Sequence, residues 1–79
     1  MPYIKKINRD ELNMGKTPEN VGELNYVLTK LILDYLGDNP HYQNYNDVLG
    51  VLTAIQFEIY RRRIADYEIQ KCAENGDVY

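Results

Sequence analysis

The sequence predicts an all-α fold: a helical hairpin of two long helices behind a short N-terminal helix, assembling as a homo-oligomer. Two stretches, 18–36 and 45–74, repeat apolar residues at spacings of three and four, the 3.6-residue period of an amphipathic helix. Each is bracketed by residues that cap or stop a helix. The second stretch is much the longer, so its last part lacks a partner helix within its own chain. The expected organisation is one helical domain, 1–79: an N-terminal arm and short helix (1–16), two helices (18–36 and 45–74) and a C-terminal tail (75–79).

At the N-terminus, Tyr3, Ile4 and Ile7 read as an extended arm with apolar side chains. Asn8 is the expected cap of a short helix over 9–14, with Glu11 three residues on as in a capping box, and Gly15 as its end. The first long helix has two candidate starts: Thr17 before Pro18, or Asn20 followed by Glu23. Its stripe runs Val21, Leu24, Leu28, Leu31, Ile32, Tyr35, and Val27, Leu33 and Leu36 widen it beyond one face. A helix apolar on more than one side must be covered on more than one side. Gly37 is the C-cap, and Asp38-Asn39-Pro40 stops the helix.

The second long helix is expected to begin after Asn44, with Asp47 at N3, and to continue to Asn75-Gly76. Its stripe runs Tyr45, Val48, Leu52, Ile55, Ile59, then slips by one residue to Tyr60, Ile64, Tyr67. That slip reads as the slow drift of a straight helix against a heptad repeat. At ~1.5 Å per residue the helix would span about 45 Å, and the first long helix covers barely two thirds of that. The part from Arg61 onward therefore calls for a partner subunit, or a kink.

Composition narrows the function. A chain of 79 residues buries only about 60% of its unfolded surface, so its core needs help. One cysteine, Cys72, excludes an internal disulfide, and one histidine, His41, leaves a zinc site without ligand spacing. No metal or cofactor is expected, which leaves self-association. The N-terminus has no apolar h-region and no apolar run reaches the roughly 20 residues that span a bilayer, so a cytoplasmic protein without a membrane role is expected. The net charge of −3 argues against long nucleic acid but leaves room for a small anion at a local basic cluster.

Catalysis is not expected. There is no serine, His41 and Cys72 lie far apart in sequence, and the paired carboxylates have no apolar setting to raise a pKa. Eight tyrosines among nine aromatics suit half-wet surfaces, either a thin core or a ligand pocket. The cluster that stands out is Tyr60-Arg61-Arg62-Arg63 with Tyr67. Three successive arginines fan over ~200°, so they cannot all reach one target, but Arg63, Tyr67 and Tyr60 share a face. An arginine fork between aromatic rings suits a phosphate carrying a stacked base. The alternative is ion pairing to Asp66, Glu58 or the acidic C-terminus. A second polar set, Asn25, Tyr26, Thr29 and Lys30, adjoins the stripe of the first long helix. It pairs across an interface or touches a ligand there. The tail ending in Val78 and Tyr79 either docks on a neighbour or frays.

Six segments carry a family resemblance: Met1-Pro2-Tyr3-Ile4-Lys5, Gly22-Glu23-Leu24-Asn25-Tyr26-Val27-Leu28-Thr29-Lys30-Leu31, Tyr45-Asn46-Asp47-Val48-Leu49-Gly50-Val51-Leu52, Glu58-Ile59-Tyr60-Arg61-Arg62, Tyr67-Glu68, and Glu74-Asn75-Gly76-Asp77-Val78-Tyr79. With them the chain resembles a family of small uncharacterised phage and bacterial proteins that form a domain of unknown function. The match is weakest from Asn8 to Asn20. The resemblance brings no activity. It implies that Asn25, Tyr26, Thr29, Arg61, Arg62, Tyr67, Glu68 and Asn75 are characteristic of the group.

The expected function is therefore a non-enzymatic phage-type protein that sequesters a small nucleotide-derived signalling ligand at its oligomer interfaces, through Asn25, Tyr26, Thr29, Tyr60, Arg61, Arg62, Arg63 and Tyr67. The alternative is an adaptor or inhibitor that docks on a host protein.

Overall fold

The computed structural model describes residues 4–79, so the part of the expected arm at Met1–Tyr3 lies outside the described residues. The described chain is all-helical, and it divides into two compact units, up to Pro40 and from His41 onward.

In the first unit, α1 spans Lys6–Asn13 and α2 spans Val21–Leu36. The start of α1 corrects the expectation at Asn8, which lies inside the helix. Lys5 is the N-cap, in an extended conformation, and the Arg9 amide donates to its carbonyl at 3.0 Å. Ile7, expected in the arm, is in the helix too. No side chain caps this end, so it left no signal in the sequence. The Lys6–Asp10 pair at 3.0 Å adds only exposed i,i+4 support.

Of the two candidate starts for α2, Asn20 is the cap. Its Oδ1 accepts from the Glu23 amide at 2.9 Å, and Glu23 Oε1 accepts from the Glu19 amide at 3.1 Å. The box thus reaches one residue further back than the usual pattern, and it holds the Glu19–Asn20 entry in place. Glu23 is buried, as are Ile4 and Leu12. Those apolar side chains and the Tyr26 hydroxyl, which donates to Asn13 Oδ1 at 3.1 Å, hold α1 against α2. Asn20→Ala is expected to lower thermal stability by about 1 kcal/mol, read by loss of helical circular dichroism. An unchanged melting curve would mean that the cap is idle.

The second unit is a continuous helix with a short tail. It begins as α3, Tyr42–Ile59, passes through a π-helical turn, Tyr60–Ile64, and continues as α4, Ala65–Asn75. The start differs from the expected cap at Asn44. Asn44 stands instead at N3: its Oδ1 accepts from the His41 amide at 2.7 Å, and its own amide donates to the His41 carbonyl at 2.9 Å. The reciprocal contact moves the helix start three residues earlier. At the other end Gly76 takes a φ of +81°, a conformation that favours glycine, and α4 stops.

The π turn replaces the expected slow drift. The Ala65 amide donates to the Tyr60 carbonyl, five residues back. A π turn inserts one extra residue into a rotation that an α-helix completes with fewer. The stripe Tyr45, Val48, Leu52, Ile55, Ile59 would otherwise continue onto Arg62 or Arg63. The inserted residue brings Ile64 and Tyr67 into line behind Ile59 and keeps the apolar face continuous.

Away from that stripe, Leu49, Val51 and Phe57 are 62%, 56% and 71% exposed. From Val48 to Phe57 there is no charged residue. Such a helix needs cover on more than one side. No helix among the described residues is long and apolar enough to cross a membrane.

Candidate functional site

The polar residues of α2 are occupied by their own neighbours. Thr29 Oγ1 donates to Asn25 Oδ1 at 2.9 Å, and Tyr26 is tied to Asn13. Lys30 pairs with Asp34 at 2.8 Å, and that carboxylate raises the lysine pKa through a hydrogen bond and its charge. Asn25, Tyr26 and Thr29 lie in the first unit; Tyr60, Arg61, Arg62, Arg63 and Tyr67 lie in the second.

Around the π turn the three arginines separate into two groups. Arg61 Nη2 donates to both oxygens of Glu58, at 3.0 and 2.8 Å, and Arg62 Nε donates to Oε2 at 3.0 Å. Spacings of three and four place both beside Glu58 on one helix face. The two guanidinium groups hold the Glu58 carboxyl below its ordinary pKa, the hydrogen bond from Arg61 first and that from Arg62 second. This contribution is present above the ordinary glutamate range and fades as pH falls through the lowered value. The group is exposed to solvent, with side-chain exposures of 67% for Arg61, 70% for Arg62 and 53% for Glu58. Exposed pairs of this kind contribute little to stability.

Arg63 has no carboxylate within ion-pair distance among the described residues. Four residues after Ile59 and four before Tyr67, it borders the apolar face. Glu68 has no cation within that distance either. The Glu68 carboxylate, first as a hydrogen-bond acceptor for the phenol and then through its negative charge, raises the Tyr60 pKa. Tyr67 carries the Lys71 ammonium 5.6 Å from its ring centre, and Lys71 also pairs with Glu74 at 3.1 Å. Beyond it, Tyr67, Lys71 and the exposed Cys72 line a shallow groove of ≈310 Å³ with Asn75, Val78 and Tyr79.

Sequence reasoning placed the arginine fork on the face of Tyr60 and Tyr67. In the structure the convergent fork is Arg61 and Arg62 on Glu58, and Arg63 stands alone. The spacing of Glu58 to the two arginines carried that signal, and Glu58 was visible as an ion-pair partner. No group of three or more His, Cys, Asp or Glu residues that could hold a metal ion occurs among the described residues.

These features define a small all-α chain whose densest cluster of cations sits on a π turn within an exposed helix. The chain belongs to the family described as Domain of unknown function (DUF6899), whose model matches residues 1–78. No curated protein and no solved structure matches it.

Proposed function

We propose that the protein is a non-enzymatic homo-oligomer that sequesters a small anionic, nucleotide-derived ligand at its interfaces, as a phage would to blunt a nucleotide-signalled host defence. The observation that carries this reading is the convergence of Arg61 and Arg62 on one exposed carboxylate. Two guanidinium groups gathered within 3.0 Å of Glu58 leave a net charge of +1 at one exposed point on the helix. A phosphate offers more charge and more acceptor oxygens than the carboxylate, and arginine forks match its geometry. Glu58 is then a placeholder that a phosphate displaces. The ring of Tyr60, about half exposed, supplies a π-face for a base. The net charge of −3 favours a small ligand over a long polyanion.

The test is native mass spectrometry of the purified chain with mono-, di- and cyclic nucleotides at about ten micromolar, the scale of a specific small-ligand complex. A discrete oligomer gaining ligand mass in integer steps supports the proposal; no gain across the panel refutes it. Glu58→Gln removes the competing charge and is expected to raise affinity for such an anion about five-fold, by titration calorimetry. Weaker binding would make Glu58 an organiser of the two arginines rather than a placeholder.

The exposed apolar residues Leu49, Val51 and Phe57 favour a second reading, an adaptor or inhibitor that docks on a host protein. A stoichiometric complex rebuilt from purified partners, insensitive to nucleotide, would favour that reading.

A further inference from the structure

We infer that the face of the long helix at Ile64 and Tyr67 is an interface with a second copy of this chain, running parallel and in register and locked by reciprocal Arg63–Glu68 ion pairs. The inference rests on the homo-oligomer of the reading above and not on its ligand, since Arg63 stands apart from the Arg61–Arg62 fork.

The helix carries its own complementary charges. Arg63 has no anion and Glu68 no cation within ion-pair distance among the described residues. Both border the apolar stripe, with Ile64 and Tyr67 between them, 41% and 60% exposed. A two-fold axis along the paired helices makes contacts reciprocal: if residue i meets j, then j meets i. That axis brings the Arg63 flank of each copy beside the Glu68 flank of the other, the i to i+5 pairing of flanking charges in a parallel coiled coil. It also packs the Ile64 and Tyr67 layers of the two copies against each other. An antiparallel pairing would instead bring the Arg63 flanks of the two copies to one side and the Glu68 flanks to the other, which is unfavourable.

The chain's other long helix offers nothing equivalent. On α2, Lys30 is already paired with Asp34, and Glu23 is buried and bonded to the Glu19 amide. Size is adequate as well. Two helices about 50 Å long and about 10 Å across bury on the order of 1,000 Å² when paired, the lower end of the range for specific interfaces.

The experiment is the mass of the full chain by light scattering over a dilution series, with helical circular dichroism in parallel. The wild-type chain is expected to be an even-numbered oligomer. Arg63→Glu and Glu68→Arg are each expected to weaken association roughly 100-fold, because each sets like charges face to face. The double variant, Arg63→Glu with Glu68→Arg, is expected to recover association to within about ten-fold of wild type, which a variant that merely misfolds would not do. A monomeric wild type, single reversals without effect, or a double variant as weak as the singles would each overturn the inference. A stable dimer that takes up no nucleotide fails the ligand reading alone.

Discussion

Deleting Arg62 is expected to leave the long helix and its self-association nearly intact, whereas deleting Thr53 is expected to destroy the association. Both remove one residue from the same continuous helix, so its length changes equally. The difference is where the rotation is absorbed. Within Tyr60–Ile64 one residue is surplus to α-helical geometry, and its loss lets the turn close as a regular α-helix. Ile64 then follows Ile59 at a spacing of four, and Tyr67 stays on the stripe. Thr53 lies in regular helix, where its hydroxyl donates only to the Leu49 carbonyl at 3.2 Å. Its deletion turns everything downstream by ~100°. Ile55, Ile59, Ile64 and Tyr67 leave the line of Tyr45, Val48 and Leu52, and no single partner can cover both halves. At about 1.5–3 kcal/mol per apolar side chain buried, losing two of them weakens association by about 1,000-fold or more. The check is oligomer mass against dilution for the two deletions, with circular dichroism to follow helix content. Equal damage would show that the π geometry is itself required; no damage from either would remove the stripe as the association face.

The stripe also shows what was legible beforehand. Its period gave the helices, and the step of five from Ile59 to Ile64 was in plain view. A drift spread over several turns and a single inserted residue produce the same one-residue slip. Only the backbone bond from Ala65 to Tyr60 separates them. Capping followed a similar rule. Asn20 with Glu23 was readable because side chains make the contacts. The cap at Lys5 was not, because the side chain takes no part there. Asn44 was recognised as a capping residue but assigned to the wrong end of its own contact, since asparagine serves equally as N-cap and as the residue that reaches back to one. At the arginine cluster, Glu58 was one of three ion-pair partners the sequence offered, beside Asp66 and the acidic C-terminus, and its spacing to Arg61 and Arg62 fits the pairs that form. By spacing Arg63 could pair with Asp66 and Glu68 with Lys71, so the isolation of both had no signature in the string of residues.

Arg62→Ala is expected to weaken binding of the proposed anion by about 10- to 100-fold while leaving helix content and oligomer mass unchanged. The loss corresponds to one charge-assisted hydrogen-bonding group removed from a two-arginine fork. Folding has little stake in it: the side chain is 70% exposed, and its recorded bond is to Glu58. Arg62→Lys divides the effect further. If the site reads the planar fork, lysine restores little, because an ammonium cannot place two parallel N–H groups on one phosphate. If it reads charge alone, lysine restores most of the affinity, and binding falls off steeply with added salt. Calorimetric titration with the tightest nucleotide of the panel, at two salt concentrations, separates the two. Should Arg62→Ala instead dissociate the oligomer, the fork would be an intersubunit ion-pair site, with Glu58 shared between copies, and the anion would have to be sought elsewhere on the chain.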